Sequence, residues 1–118
     1  MVVATRKPGP GARLHSRAEF LAVQNGGRRV PSRYFTMLGG PNPYGHDRLG
    51  IIASRKVGGA VQRNRAKRRL REIFRRCAGT DGAALDVVVI AKSTLVDAPF
   101  ALLTSDFQTA LRRLRGSR

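Results

Sequence analysis

Apolar positions along the chain recur with two different periods, and the change of period marks out the elements. From Arg33 to Leu38 and from Arg48 to Ser54 the residues are largely β-branched, aromatic or aliphatic in short runs. That pattern predicts two strands, the first beginning near Val30. Gly39-Gly40-Pro41-Asn42-Pro43-Tyr44-Gly45 reads as a loop between them, so the strands are expected to pair antiparallel across it. Leu85–Ala91 is apolar almost throughout, as in a strand buried on both faces. Helical spacing appears in two places. Ala66, Leu70, Ile73, Phe74 and Cys77 share one arc of a helix predicted over about 60–77, after the Gly58-Gly59 break. Phe100, Leu103, Phe107, Ala110, Leu111 and Leu114 form the stripe of a last helix, for which Asp97 is the expected cap, with Pro99 in its first turn.

Ser16-Arg17-Ala18-Glu19 fits a capping box and predicts a short helix over about 17–24, closed by Asn25-Gly26-Gly27. Residues 1–13 contain Pro8-Gly9-Pro10-Gly11 and read as an extended or flexible basic arm. The element order is α-β-β-α-β-α, in one domain over 14–118 without internal repeats.

Charge changes the picture more than composition does. The 118 residues hold 23 Lys and Arg against 7 Asp and Glu, a net charge of +16, while the 42% hydrophobic content is ordinary for a folded domain. A polyanionic partner is implied, and no apolar run is long enough to span a membrane. The lone Cys77 excludes an internal disulfide and fits a reducing, cytoplasmic setting, where it reads as a small buried hydrophobe.

The charge is concentrated in Arg63-Asn64-Arg65-Ala66-Lys67-Arg68-Arg69-Leu70-Arg71, where nine residues carry six cations and no anion. On a helical wheel Asn64, Arg68, Arg71 and Arg75 share one arc, and Arg65, Arg69 and Arg76 another, with Glu72 beside it. Arg63 and Lys67 lie near the line of the apolar stripe. Guanidinium groups grip phosphates bidentately and stack on bases, so this helix is expected to bind nucleic acid.

Catalytic machinery is hard to find. No two carboxylates show a general acid–base or two-metal spacing, His15 and His46 are isolated, and Cys77 has no metal-ligand partner at the usual spacing. Ser54 has no nearby histidine, and Gly58-Gly59 lacks the rest of a phosphate-cradling loop. Glu72 can pair with neighbouring arginines.

The run from Arg48 to Arg71 closely resembles the bacterial ribonuclease P protein subunit family, whose pattern is R-x-G-x-x-x-S-x-K-x-G-x-A-V-x-R-N-x-x-K-R-x-x-R. Arg48, Gly50, Ser54, Lys56, Gly58, Ala60, Val61, Arg63, Asn64, Lys67, Arg68 and Arg71 fill every fixed position. Arg13-Leu14 with Glu19-Phe20, Arg33-Tyr34-Phe35 and Asp86–Lys92 extend the similarity over nearly the whole chain outside the arm. The resemblance implies an α+β, α-β-β-β-α-β-α sandwich that is ribosomal-protein-S5-domain-2-like, with a left-handed β-α-β crossover. A small extra strand is therefore expected within 26–33.

It also implies a division of labour. The protein would assist a catalytic RNA that removes the 5′ leader of precursor tRNA, with Mg2+ bound mainly by that RNA and no protein partner required. Arg55, Lys56, Arg63, Asn64, Arg65, Lys67, Arg68, Arg69 and Arg71 would contact the catalytic RNA. Phe20, Arg33, Tyr34, Arg48 and Ser54 would line a cleft for the leader. Gln24 and Leu38 stand where relatives often have aromatic side chains, so this cleft departs from the pattern. A ribosomal component or RNA chaperone shares the charge and the fold type but not the long motif. A helix-turn-helix DNA binder would need a helix where residues before 60 read as strand and turn.

Overall fold

The computed structural model describes residues 2–4, 27–42, 45–77 and 84–115. Five strands, β1 (Val2–Ala4), β2 (Arg28–Pro31), β3 (Phe35–Pro41), β4 (Arg48–Ile52) and β5 (Leu85–Ala91), form one sheet in the order β1-β4-β5-β3-β2. Helix α1 (Ala60–Cys77) connects β4 to β5, the one parallel pair in the sheet, and α2 (Phe100–Leu114) follows β5 after a short 3-10 turn at Ser93–Leu95. The other pairs are antiparallel.

The boundaries of α1 and β5 agree with the apolar pattern, and β2 is the extra strand expected within 26–33. Three expectations are corrected. β3 and β4 are not neighbours, because β5 lies between them, antiparallel to β3 and parallel to β4. The physical reason is β5 itself: with Val87, Val88 and Val89 all fully buried, it occupies the centre, where both faces are covered. β3 also runs on through Gly39, Gly40 and Pro41, which local composition assigns to a loop. Gly39 is needed there, since a Cβ would lie 2.5 Å from the Asp86 carbonyl oxygen and 2.9 Å from Leu114 Cδ1. Finally, α2 starts at Phe100 with Pro99 at its N-cap and no side-chain cap, so Asp97 does not cap it. Residues 92–98 are instead folded into tight turns by the bonds Leu95 N–H to Lys92 O and Ala98 N–H to Leu95 O.

The predicted helix at 17–24 and most of the arm at 1–13 lie outside the described residues. Within that arm segment, Val2–Ala4 pairs with Leu49–Ile51 at the β4 edge.

The two faces of the sheet differ. One carries Phe35, Met37, Leu49, Ile51, Val87 and Val89 into a core completed by Leu70, Ile73 and Phe74 of α1 and Leu103, Phe107 and Leu111 of α2. Phe35 and Phe107 meet with centroids 5.9 Å apart at 56°. Each such side chain contributes about 1.5–3 kcal/mol by leaving water. The opposite face has a smaller apolar cluster of Leu38 and Val88 with half-buried Ile52 and Ile90.

Candidate nucleic-acid interface

The basic helix is aimed by the turn that precedes it. Val57 N–H donates to Ser54 O at 3.0 Å and Gly58 N–H to Arg55 O at 3.1 Å, folding residues 54–58 tightly. Gly58 has φ +143°, and a Cβ there would come within 2.8 Å of Gln62 Cβ, so glycine is required. The turn leaves Arg55 and Lys56 exposed beside the start of α1.

Within α1, Ala66, Leu70, Ile73, Phe74 and Cys77 are the buried residues, the same five as on the predicted stripe. Burial pushes the Cys77 thiol up, against smaller opposing effects of Gln108 and Arg76. The first turn contains no acidic residue. The cation there, Arg63, opposes the positive end of the helix dipole, so helix stability does not account for it. The single carboxylate of α1, Glu72, is engaged near the other end by Arg75 at 2.6 Å and Arg76 at 2.9 Å, and the hydrogen bond from Arg75 holds its carboxyl below the usual range.

The cations of α1 fall into two groups. Arg65 and Arg69 reach sideways to the segment between β5 and α2. Arg65 Nε donates to Val96 O at 2.9 Å, while Arg69 Nη1 donates to Leu95 O at 3.1 Å and Val96 O at 2.7 Å. Arg69 Nη2 donates to Ala98 O, and the guanidinium lies 5.7 Å from the centroid of the Phe100 ring. Burial, followed by repulsion from Arg65, lowers the Arg69 pKa from its ordinary value, with Asp97 opposing. These two side chains fasten α1 to the start of α2. Arg55, Lys56, Arg63, Asn64, Lys67, Arg68 and Arg71 form the other group, whose side chains have no hydrogen bond or ion pair among the described residues. Asn64, Arg68 and Arg71 are exposed on one arc, and Arg63 and Lys67 are half-buried beside it.

The residues expected in a leader cleft are dispersed. Exposed Arg33 places its guanidinium 5.7 Å from the ring centroid of buried Tyr34 at the entry to β3. Ser54 is exposed beyond the end of β4 and accepts a bond from Lys56 N–H at 3.3 Å. Arg48 is not displayed as a ligand. It is 5% exposed and bidentate to Asp86, with Nε to Oδ1 at 2.7 Å and Nη2 to Oδ2 at 2.8 Å, so its donors are committed inside the protein. Phe20 and Gln24 lie outside the described residues, and Leu38 is buried in the small cluster.

Asp47 and Asp86 belong to no acid–base or metal-binding motif, yet both are structural. Asp47, 2% exposed, accepts from Leu85 N–H at 2.8 Å and pairs with Arg115 at 3.2 Å. Asp86 also receives Asn42 Nδ2 at 2.8 Å. Aspartates flanking a basic residue or opening an apolar strand are the available signal, but partners 38 and 68 residues away are invisible to local pattern. Among the described residues no group of three His, Cys, Asp or Glu could hold a metal ion. No helix among them is long and apolar enough to cross a membrane.

A sequence model of the Ribonuclease P family matches residues 10–115. The chain belongs to this family. The ribonuclease P protein component of Thermotoga maritima is 41% identical over 83 residues, covering 70% of this chain and 71% of its own. That of Desulfatibacillum aliphaticivorans is 38% identical over 107 residues, with 90% and 91% covered. The solved structure of the Thermotoga maritima ribonuclease P protein superposes with a TM-score of 0.77 at 34% identity, over 87% of this chain and 97% of that one. The Staphylococcus aureus ribonuclease P protein gives 0.74 at 29% identity, over 87% and 96%. The α+β fold is therefore that of ribonuclease P proteins, and the matched residues include the turn and basic helix described above.

Proposed function

We propose that this chain works as the protein subunit of a ribonuclease P holoenzyme, with the exposed arc of α1 on the catalytic RNA and the opposite sheet face toward the precursor-tRNA leader. The observation that carries this reading is the sorting of cations on α1. Arg65 and Arg69 are bonded to backbone carbonyls, whereas Arg55, Lys56, Arg63, Lys67, Arg68 and Arg71 have no internal partner among the described residues. Asn64 adds a donor and an acceptor on the same arc. Phosphates of a folded RNA suit such a surface, and each one neutralised releases counterions.

Strand cleavage, with its Mg2+, is assigned to the RNA. The protein contributes charge neutralisation, affinity and placement of the leader. Exposed Arg33, at the entry to β3, is a candidate for phosphate contact and Phe20 is the stacking candidate by the family motif, whereas Tyr34 is buried in the main core. Arg48 is a positioning residue beneath that face, and Ser54 stands at its edge.

The test mixes purified protein with a bacterial ribonuclease P RNA and a precursor tRNA at moderate salt and magnesium. Correct 5′ processing should be faster than with RNA alone, and RNA-free protein should be inactive. Failure to improve processing, or cleavage by the protein alone, overturns the assignment.

A further inference from the structure

A second group of arginines lies at the other edge of the sheet from α1's side. β2 is the edge strand beyond β3, and it carries exposed Arg28 and Arg29. α2 packs beneath this edge and ends with exposed Arg112 and Arg113. Arg28 Nη1 donates to Arg113 O at 3.0 Å, which fixes the strand and the helix end as one surface. The cations of α2's last turn suit the negative end of its dipole, and Arg28 shares that role through its bond to the Arg113 carbonyl, but Arg29, on the other face of β2, is not explained in this way. The one carboxylate of α2, Asp106, lies about two turns before the helix end and accepts from Ser32 Oγ at 3.2 Å. Clustered like charges at an edge call for a polyanion.

Register links this patch to the proposed leader face. Arg29 pairs with Leu38, and Leu38 with Val88, so Arg29 shares the face of the small apolar cluster. Arg28 pairs with Gly39 and belongs to the face on which α2 sits. The two arginines therefore straddle the sheet edge, one on each face.

We infer that the Arg28–Arg29–Arg112–Arg113 edge is a backbone-binding extension of the leader path, taking phosphates of the distal leader after it crosses the sheet. The inference rests on the leader face proposed above. Direction follows from the sheet order. The catalytic RNA, and with it the scissile bond, lies on the α1 side, so the proximal leader enters near β4 and the distal leader leaves across β2. Three strand spacings, about 14 Å, separate β4 from β2. At about 3.4 Å per stacked nucleotide, roughly four nucleotides cover that width before the edge is reached.

The experiment compares precursor tRNAs with leaders of about three and about twelve nucleotides, bound by holoenzyme carrying wild-type protein or Arg29→Ala/Arg112→Ala/Arg113→Ala. With the long leader the variant should lose about tenfold in affinity, and its log–log salt slope should become shallower by about 0.7 for each phosphate that the variant no longer neutralises. With the short leader it should match wild type, and its binding to the catalytic RNA alone should be unchanged. Equal losses with both leaders, weakened binding of the catalytic RNA, or no loss with the long leader would each overturn the inference. If the leader-face reading itself were wrong, wild-type holoenzyme would show no gain in affinity from the short leader to the long one, a result separable from any effect of the variant.

Discussion

Arg48 and Arg68 carry the same guanidinium, yet their surroundings give them opposite uses. Arg68 stands in solvent on the outer arc of α1, while Arg48 is sealed against Asp86 with side-chain exposures of 6% and 14%. Removing one member of a buried pair leaves the other charge uncompensated, at a cost of about 3–5 kcal/mol. Arg48→Ala should therefore lower unfolding stability by that amount in urea titration. A decrease below about 1 kcal/mol would mean that the pair is solvated and that Arg48 is available as a ligand. Cys77 makes a separate prediction. Its pKa is raised by burial, so the neutral thiol is favoured in the folded state and the thiolate in the unfolded chain. This contribution to stability is present below the unfolded thiol pKa and is lost as pH rises through the folded value. Alkylation by iodoacetamide near pH 8 should be slow in the native protein and fast in urea, and equal rates would contradict the burial.

At the scale of elements, legibility follows locality. The stripe Ala66–Leu70–Ile73–Phe74–Cys77 and the run Leu85–Ala91 each determine their own boundaries, because burial of a face repeats with the period of the element. The start of α2 is not legible in this way. Asp97 has the chemistry of a cap, while residues 95–98 are held by Arg65 and Arg69 some thirty residues away. The same two arginines look like RNA ligands on the wheel, since a wheel shows which direction a side chain leaves the helix and not what it meets. Arg48 is likewise placed in the cleft by motif, and only the register of β4 against β5 reveals Asp86 opposite it. Glycines are half legible. Gly58 reads correctly as a turn, whereas Gly39 looks like loop and serves a strand crossed closely by the Asp86 carbonyl.

Across the whole molecule, topology separates the surfaces that the sequence interleaves. The parallel β4–α1–β5 connection sets the basic helix beneath one side of the sheet, and the antiparallel β3–β2 pair carries Arg28 and Arg29 to the other edge. A net charge of +16 is thereby distributed over more than one surface, and the Leu38–Val88 cluster marks the face between the two edges. Local sequence does not predict this arrangement, because the neighbour of β3 is a strand that follows it by more than forty residues. The central claim is that the exposed arc of α1 grips the catalytic RNA while Arg65 and Arg69 hold the helix in place. Its most direct test is the salt dependence of catalytic-RNA binding by two double variants. Arg68→Ala/Arg71→Ala should bind more weakly with a slope shallower by about 1.4, at unchanged melting temperature. Arg65→Ala/Arg69→Ala should melt lower and keep the wild-type slope. Equal flattening of the slope by both variants would contradict the account.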